Sequence, residues 1–193
     1  MAANPQRRRL ITDAALACLG EHGARGLTHR AVDRQAGIPT GTTSNYFPTR
    51  SDLVLGAAER IFELLAPDPV RIEQIGSSHQ GTAAATAYME YVVERLLGSA
   101  HLALALFELR LEAARTPAVA ETLTPFLRFG RVADQAFHET AQLPGGGQEV
   151  QLLHWAIDGL VFAALTTGVE GAEPAEAARE LTRRLLPGEG AAP

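Results

Sequence analysis

The sequence predicts an all-α fold of about nine helices. Apolar residues recur with the 3.6-residue period of an amphipathic helix in one segment after another, and no segment has the apolar-polar alternation of a half-buried strand. Glycine and proline clusters separate these segments. The chain has 193 residues, 46% of them hydrophobic and 20% charged. It is therefore long and apolar enough to bury a core, which excludes a disordered protein.

The N-terminal third of the chain predicts four helices. They cover residues 7–21, 28–35, 40–47 and 51–66. Thr28 is the predicted N-cap of the second helix and Ser51 that of the fourth. Gly37 and Pro39 separate the second helix from the third, because glycine suits the position after a helix and proline lacks a backbone donor.

Residues beyond Pro67 predict five further helices. They cover residues 79–97, 101–115, 118–143, 148–167 and 174–186, with an interruption at Pro125. The stretch 152–169 carries one charge, Asp158. A charge near the bilayer centre costs about 3 kcal/mol, so we interpret this stretch as a helix buried in protein.

The composition indicates a soluble cytoplasmic protein that is not an enzyme. Cys18 is the single cysteine, and no apolar signal core follows the N-terminal arginines. The sequence has no HExxH, P-loop or Gly-x-Ser-x-Gly motif, and its six histidines lack metal-ligand spacing. We therefore predict no catalytic residues, no cofactor, no metal and no membrane partner. His154 and Asp158, one helical turn apart, could hold a metal, although a buried polar contact is commoner.

Residues 28–47 have the pattern of a helix-turn-helix, in which the second helix enters a DNA major groove. That helix reads Thr40-Gly-Thr-Thr-Ser-Asn-Tyr-Phe47, so small hydrogen-bonding side chains dominate it. Hydroxyl groups can contact bases and phosphates, and Gly41 permits close approach of the backbone. A short connector with local capping is the alternative interpretation.

Residues 7–64 resemble the DNA-binding domain of TetR-family transcriptional regulators. The resemblance is carried by Ile11-Thr-Asp-Ala-Ala-Leu16, Glu21–Thr28, Val32–Gly37 and Gly41–Leu53. It implies a DNA-binding domain over residues 1–50, a connecting helix over 51–66, and a helical ligand-binding and dimerisation domain over 67–193.

The resemblance implies binding to double-stranded DNA at a palindromic operator. The residues that it assigns to DNA binding are Thr28, His29, Arg30, Thr40, Gly41, Thr42, Ser44, Asn45, Tyr46 and Arg50. Many members of the family have lysine, leucine and tyrosine where this chain has Thr40, Thr43 and Ser44. These departures affect which bases are read and reduce the number of strong phosphate contacts expected.

The charge distribution agrees with a DNA partner. The net charge of −5 divides into +4 over residues 1–50 and −9 over the other 143, and all 17 basic residues are arginine. A basic segment attached to an acidic one is the electrostatic pattern expected of a DNA-binding protein. The run Arg7-Arg-Arg9 is either a solvated tail or an arm for the minor groove.

The resemblance also implies a small-molecule effector and a homodimer. Candidate effector-binding residues are Tyr88, Tyr91, Phe107, Glu108, Phe126, Phe129 and Trp155. Because they are mostly aromatic, we expect a largely hydrophobic effector. Ordinary core packing is the alternative role for the aromatic residues, and surface ion pairing with Arg110 is the alternative for Glu108. By the same resemblance, the helices over residues 148–167 and 174–186 form the dimer. Small residues spaced by three and four allow these helices to approach closely, and the candidate interface residues are Ala156, Gly159, Ala163 and Leu181.

The implied function is a ligand-responsive regulator, a repressor that its effector releases from the operator. The alternative is an all-helical small-molecule-binding protein or enzyme with a vestigial helix-turn-helix.

Overall fold

The computed structural model of the chain describes residues 4–168 and 173–186. Residues 1–3, 169–172 and 187–193, which the predicted domains include, lie outside the described residues. The described ranges form helices and no strand, which confirms the all-α prediction. The helices are α1 (Pro5–Gly26), α2 (His29–Gln35), α3 (Thr42–Tyr46), α4 (Arg50–Leu64), α5 (Pro69–Ser78), α6 (Gly81–Gly98), α7 (Ala100–Ala113), α8 (Pro117–Thr140), α9 (Gly147–Thr166) and α10 (Pro174–Leu185).

Two compact units make up the chain. The first unit consists of residues 1–66 and 99–127, and the second unit of residues 67–98 and 128–193. The boundary after residue 66 coincides with that of the predicted connecting helix. Residues 99–127 belong to the first unit because α7 packs on α1.

The cap of α2 agrees with the sequence prediction, whereas that of α4 does not. Thr28 caps α2 by accepting the N–H of Ala31 at 3.2 Å. The predicted cap of α4, Ser51, is wrong, because Thr49 caps this helix. The Thr49 side chain accepts the N–H of Asp52 at 3.1 Å, and the Asp52 carboxylate accepts the N–H of Thr49 at 2.9 Å. This reciprocal pair of bonds is a capping box, which needs an acceptor side chain three residues after the cap.

Two further features of the helices differ from the prediction. Pro125 does not interrupt α8, which continues through it to Thr140. A proline removes one hydrogen bond and bends a helix, but packing on both sides can keep the helix continuous. The other difference is α5, a helix absent from the prediction. Asp68 caps it by accepting the N–H of Val70 at 3.0 Å, and Pro69 stands in the first turn, where no donor is needed.

The core of the first unit joins α1, α2, α4, α7 and the start of α8. Its largest fully buried apolar side chains are Ile11, Leu16, Leu27, Val32, Phe47, Leu53, Val54, Ile61, Leu109, Val119 and Leu123. Burial of each larger apolar side chain stabilises the fold by about 1.5–3 kcal/mol. Gly20 lets α1 approach α7 closely, since a Cβ at this position would lie 2.1 Å from the carbonyl oxygen of His101.

The second unit is built around α6, which packs against α5, α9 and α10. The rings of Tyr88 and Phe137 meet edge to face with their centroids 4.9 Å apart. The Tyr88 hydroxyl donates to the carbonyl oxygen of Ile72 at 3.3 Å, which fixes α5 against α6.

Helix α9 is buried along one side only. Leu153, Ile157 and Val161 are buried, while Trp155 and Phe162 on the other side are exposed. The prediction that this helix is buried in protein therefore holds for one face of α9. Among the described residues, no helix is long and apolar enough to cross a membrane.

Candidate nucleic-acid interface

Helices α2 and α3 and the turn between them form the candidate interface. The turn leaves α2 at Gly37, whose φ is 63°, and reaches α3 through Gly41, whose φ is 91°. Both glycines adopt the left-handed conformation that side chains disfavour. Gly41 is the N-cap of α3, and as a glycine it supplies no capping side chain.

A buried carboxylate on α2 takes the place of that missing cap. Asp33 is only 2% exposed. Its Oδ2 accepts the N–H of Gly41 at 2.7 Å, and its Oδ1 accepts both the N–H of Thr43, at 2.8 Å, and the Thr43 hydroxyl, at 2.6 Å. Three bonds therefore fix the first turn of α3 to α2, because they satisfy donors that a short helix leaves unpaired.

These bonds also keep Asp33 ionised. Burial on its own raises the pKa of a carboxyl group. Here the hydrogen bonds from Thr43 and Gly41, together with nearby His29, outweigh that effect and hold the pKa of Asp33 below its usual value. A charged acceptor makes stronger hydrogen bonds than a neutral one, which strengthens the attachment of α3.

Asp33 supports the candidate interface, and the sequence analysis missed it. The signal was present at Thr43, where the chain has a polar residue in place of the leucine common in the resembling family. A buried threonine needs a hydrogen-bond partner, and an aspartate ten residues earlier, on the preceding helix, could have been considered.

The residues of α3 and of the turn before it that are assigned to DNA binding are largely open to solvent. Thr40, Gly41, Ser44 and Asn45 are exposed, and Tyr46 is half-buried. This surface carries no charge, so recognition through it would depend on hydrogen bonds, methyl contacts and the close approach of Gly41.

Two hydroxyl groups of α3 already donate within the motif. Thr42, half-buried, donates to the carbonyl oxygen of Pro39 at 2.6 Å, and Ser44 donates to that of Gly41 at 2.8 Å. In this arrangement the two hydroxyl oxygens offer lone pairs to an approaching ligand.

The predicted site residues of α2 divide by role. Thr28 is exposed and caps the helix, and Arg30 is exposed. His29 is half-buried, and its Nε2 lies 2.7 Å from the carbonyl oxygen of Phe47, at the end of α3. His29 therefore ties the two helices together, and Arg30 is an exposed cation of α2.

Arg50 is already engaged within the first unit. Its Nη1 donates to Oε1 of Glu112 at 3.0 Å, and its Nη2 donates to the carbonyl oxygen of Ala24 at 2.9 Å. The N-terminal arginines are not a tail, since Arg7-Arg-Arg9 lies within α1. The Arg8 guanidinium lies over the Phe47 ring, 4.3 Å from its centroid.

The predicted effector-binding residues are distributed over both units. Phe107, Glu108 and Phe126 lie in the first, where Glu108 accepts the N–H of Ala24 and Phe126 stacks on Phe62 at 5.1 Å between centroids.

The other four lie in the second unit. Tyr88 is buried, and the Tyr91 hydroxyl accepts the N–H of Asp68 at 2.8 Å. Phe129 and Trp155 are 73% and 60% exposed, which suits a surface that another chain covers better than the wall of an enclosed cavity.

An exposed stripe runs along α9 through Leu152, Trp155, Gly159 and Phe162. These residues are spaced by three and four, so they share one face of the helix. Apart from the neighbouring backbone of α9 itself, no atom of the described residues lies within 4 Å of the position of a Cβ at Gly159, which leaves room for a close approach. The other predicted interface residues, Ala156, Ala163 and Leu181, are half-buried.

Within the described ranges, no group of three or more histidine, cysteine, aspartate or glutamate side chains could hold a metal ion. His154 Nδ1 lies 3.5 Å from Oδ2 of Asp134. Cys18 is buried, and its burial raises the pKa of the thiol, so it behaves as a small apolar core residue.

Two domain descriptions match the chain, and together they cover most of it. The description "Bacterial regulatory proteins, tetR family" matches residues 11–57, and "Tetracyclin repressor-like, C-terminal domain" matches residues 80–188, more than half of the chain. The chain belongs to the TetR family.

Curated relatives of this TetR-family chain match about a third of its length. The HTH-type transcriptional regulator BetI of Agrobacterium fabrum is 32% identical over 66 residues, 34% of this chain and 32% of BetI. The HTH-type transcriptional repressor KstR of Rhodococcus jostii is 38% identical over 61 residues, 32% of this chain and 29% of KstR. The match thus spans about a third of the length of these relatives.

Solved structures match nearly the whole TetR-family chain. The multidrug binding protein EbrR complexed with ethidium is 28% identical, with a TM-score of 0.69 over 95% of this chain and 99% of EbrR. A transcriptional regulator from Rhodococcus sp. Rha1 has a TM-score of 0.72 over 92% of this chain and 95% of its own, at 19% identity, and shares the fold.

Proposed function

We propose that this protein is a ligand-responsive, DNA-binding transcriptional regulator that represses from a palindromic operator. The observation that carries the proposal is the attachment of α3 to buried Asp33, which presents Thr40, Gly41, Ser44 and Asn45 to solvent in a fixed orientation. A rigid short helix with exposed hydrogen-bonding groups is suited to reading base edges. Curated relatives named as transcriptional regulators and repressors support the same function, and none of those reported above is named as an enzyme.

A selection experiment tests DNA binding. The native chain selects duplexes from a random-sequence pool at low salt, and the recovered duplex is then compared with a random duplex of equal length. We expect a palindromic consensus and an affinity ratio of about 10³ or more. The Asn45→Ala variant should lower this ratio, while Arg128→Ala, an exposed arginine of the second unit, should leave it unchanged. Recovery of no consensus would refute the proposal and favour a small-molecule-binding protein with a vestigial motif.

The effector is proposed to be a small, largely hydrophobic molecule. The aromatic candidates of the sequence support this class, as does the similarity to EbrR, whose solved complexes contain ethidium, proflavin and malachite green. Ethidium serves as the first probe in calorimetry. DNA is left out of this measurement, because ethidium intercalates into it. Binding confined to small, highly charged metabolites would exclude a hydrophobic effector.

A homodimer is the proposed assembly. The exposed stripe of α9 is an apolar surface of the kind that a second chain covers, and Phe129 on α8 is a further exposed apolar side chain of the same unit. A twofold dimer brings two copies of α3 to half-sites about one helical turn (~34 Å) apart or a multiple of it. Light scattering should give twice the mass of the 20.5 kDa chain.

A further inference from the structure

The peptide groups of Ala24 are held by two charged side chains from different helices. The Ala24 N–H donates to Oε2 of Glu108 on α7 at 3.0 Å, and its carbonyl oxygen accepts from Nη2 of Arg50 on α4 at 2.9 Å. Arg50 also donates through Nη1 to Oε1 of Glu112 on α7 at 3.0 Å. We refer to Ala24, Arg50, Glu108 and Glu112 as the α7 latch.

The latch joins α7 to both ends of the helix-turn-helix. Residues 27–49 contain α2 and α3, with Ala24 just before this segment and Arg50 just after it. Glu108 and Glu112 are four residues apart, so they lie on the same face of α7 in successive turns. One face of one helix therefore fixes the entry and the exit of the segment that carries the candidate DNA-reading residues.

The backbone conformation at Gly23 and the partial burial of Glu112 favour the bonds of the latch. Gly23 has φ 65° and ψ −176°, so the chain leaves the helical conformation there and presents the Ala24 peptide groups to side chains. The Glu112 side chain is 19% exposed and that of Arg50 is 45% exposed. An ion pair with one partly buried member is screened less by salt than an exposed pair, and charge-assisted bonds are stronger than neutral ones.

We propose that Glu108 and Glu112 are positioning residues that orient the reading helix through Ala24 and Arg50. This proposal rests on the proposed DNA-binding function. A displacement of α7 would move both ends of residues 27–49 together, whereas loss of the latch would let the segment vary its orientation. The role differs from the phosphate contact that the family resemblance implies for Arg50, because its guanidinium is occupied by Glu112 and Ala24.

A charge swap separates the two roles of Arg50. The native chain is compared with Arg50→Glu, with Glu112→Arg and with the double variant. The measured quantity is the ratio of affinities for the duplex selected by the native chain and for a random duplex of equal length. If the latch positions the helix, each single reversal should lower this ratio about tenfold, and the double variant should recover most of the loss. Recovery would exclude a required phosphate contact, because the double variant has a carboxylate at position 50.

Several outcomes would overturn the latch. The charge swap does not restore the bond from position 50 to the Ala24 carbonyl oxygen. A double variant as weak as Arg50→Glu therefore assigns Arg50 to phosphate binding if residues 27–49 exchange hydrogen at the native rate, and supports the latch if they exchange faster. Single variants with an unchanged ratio would remove any positioning role. If the native chain selects no consensus duplex, the proposed function is refuted, and the proposal for the latch is refuted with it. This result is obtained from the native chain before any variant is made. Arg179→Glu is the matched control, since it reverses one exposed charge that pairs with Glu90 in the second unit.

A second pair of variants tests Glu108 without changing a cation. Glu108→Gln keeps an acceptor oxygen for the Ala24 N–H, whereas Glu108→Ala removes it. We expect the glutamine variant to retain the affinity ratio and the alanine variant to lose several-fold. Hydrogen exchange of residues 27–49 without DNA should accelerate in Glu108→Ala and in Arg50→Glu, and slow again in the charge-swapped double variant. Equal exchange in all these variants, with unchanged thermal midpoints, would refute a positioning role.

Discussion

The hydroxyl of Thr43 donates to Oδ1 of Asp33 at 2.6 Å, and the same carboxylate oxygen accepts the Thr43 N–H at 2.8 Å. Both residues are buried, so this pair of bonds is a polar connection between α2 and α3 inside the first unit. The stability of the first turn of α3 depends on both partners, since a buried polar group that loses its partner keeps the cost of its desolvation.

Removal of both partners should therefore cost less than the sum of the two single removals. We expect Asp33→Ala and Thr43→Val each to lower the free energy of unfolding by about 1–3 kcal/mol. The double variant should lose clearly less than the sum, because it leaves no side chain that lacks its partner. Urea unfolding provides the measurement, with exposed Thr40→Val as the control. Strict additivity would contradict the coupling.

The lowered pKa of Asp33 gives a pH dependence of known sign. Burial raises this pKa, but the bonds from Thr43 and Gly41 and the nearby His29 hold it below the ordinary value of 3.8. The folded state thus binds its proton less readily than the unfolded chain. The stabilisation by the ionised group is complete above about pH 5 and is lost as the pH falls below 4 through the folded pKa. The urea midpoint of the native chain should fall more steeply over this range than that of Asp33→Asn. Parallel curves would mean that Asp33 does not contribute.

The sequence was sufficient for elements whose signals are local. The cap at Thr28, the break between α6 and α7 and the helix-turn-helix spacing all depend on residues within a few positions of each other. Helix α5 was not predicted because it has no apolar stripe. Ile75 is its one buried residue. Its cap at Asp68 was the available signal.

The residue types of the sequence indicate the exposed part of the candidate site, but they do not indicate the long-range hydrogen bonds that hold it in place. The small polar residues of α3 were recognisable as a group. The bond between Glu112 and Arg50 joins residues 62 positions apart, and the bond between Glu108 and Ala24 joins residues 84 apart. Such pairs depend on how α7 packs against α1, which periodicity does not specify.

The cap of α4 offers a comparison between neighbouring residues. Three hydrogen bonds join Thr49 and Asp52, whereas exposed Ser51 lies inside the helix. Thr49→Ala should lower the free energy of unfolding by about 1 kcal/mol, and Ser51→Ala should change it by less than about 0.5 kcal/mol. Thermal or urea unfolding of the two variants checks the assignment. Similar losses in both would contradict a cap at Thr49.

Arg30 is the exposed cation of α2 for which we expect a direct effect on DNA binding. Arg30→Ala should weaken binding to the selected duplex by about 1–3 kcal/mol. The dependence of affinity on salt then identifies the contact, because loss of a phosphate contact reduces the slope by about 1 and loss of a base contact leaves it unchanged. Exposed Arg128→Ala serves as the control. Unchanged affinity in Arg30→Ala would remove this residue from the interface.

Trp155 tests the proposed dimer most directly. It is 60% exposed and lies in the α9 stripe beside Gly159. A large exposed aromatic residue at the centre of an interface commonly contributes 2 kcal/mol or more to association. Trp155→Glu would also place a charge in an apolar contact. We therefore expect the dimer dissociation constant to rise by about a hundredfold, with monomers appearing in light scattering at micromolar concentration.

The control for this experiment is Leu111→Glu, which adds a charge at an apolar residue of the first unit that is 48% exposed. It should remain dimeric. Because a twofold dimer binds both half-sites at once, Trp155→Glu should also lose affinity for the palindromic duplex while its affinity for a single half-site stays near that of the native chain. Equal losses on both duplexes would point to damage within the first unit instead. A variant that remains a dimer would exclude the α9 stripe as the interface.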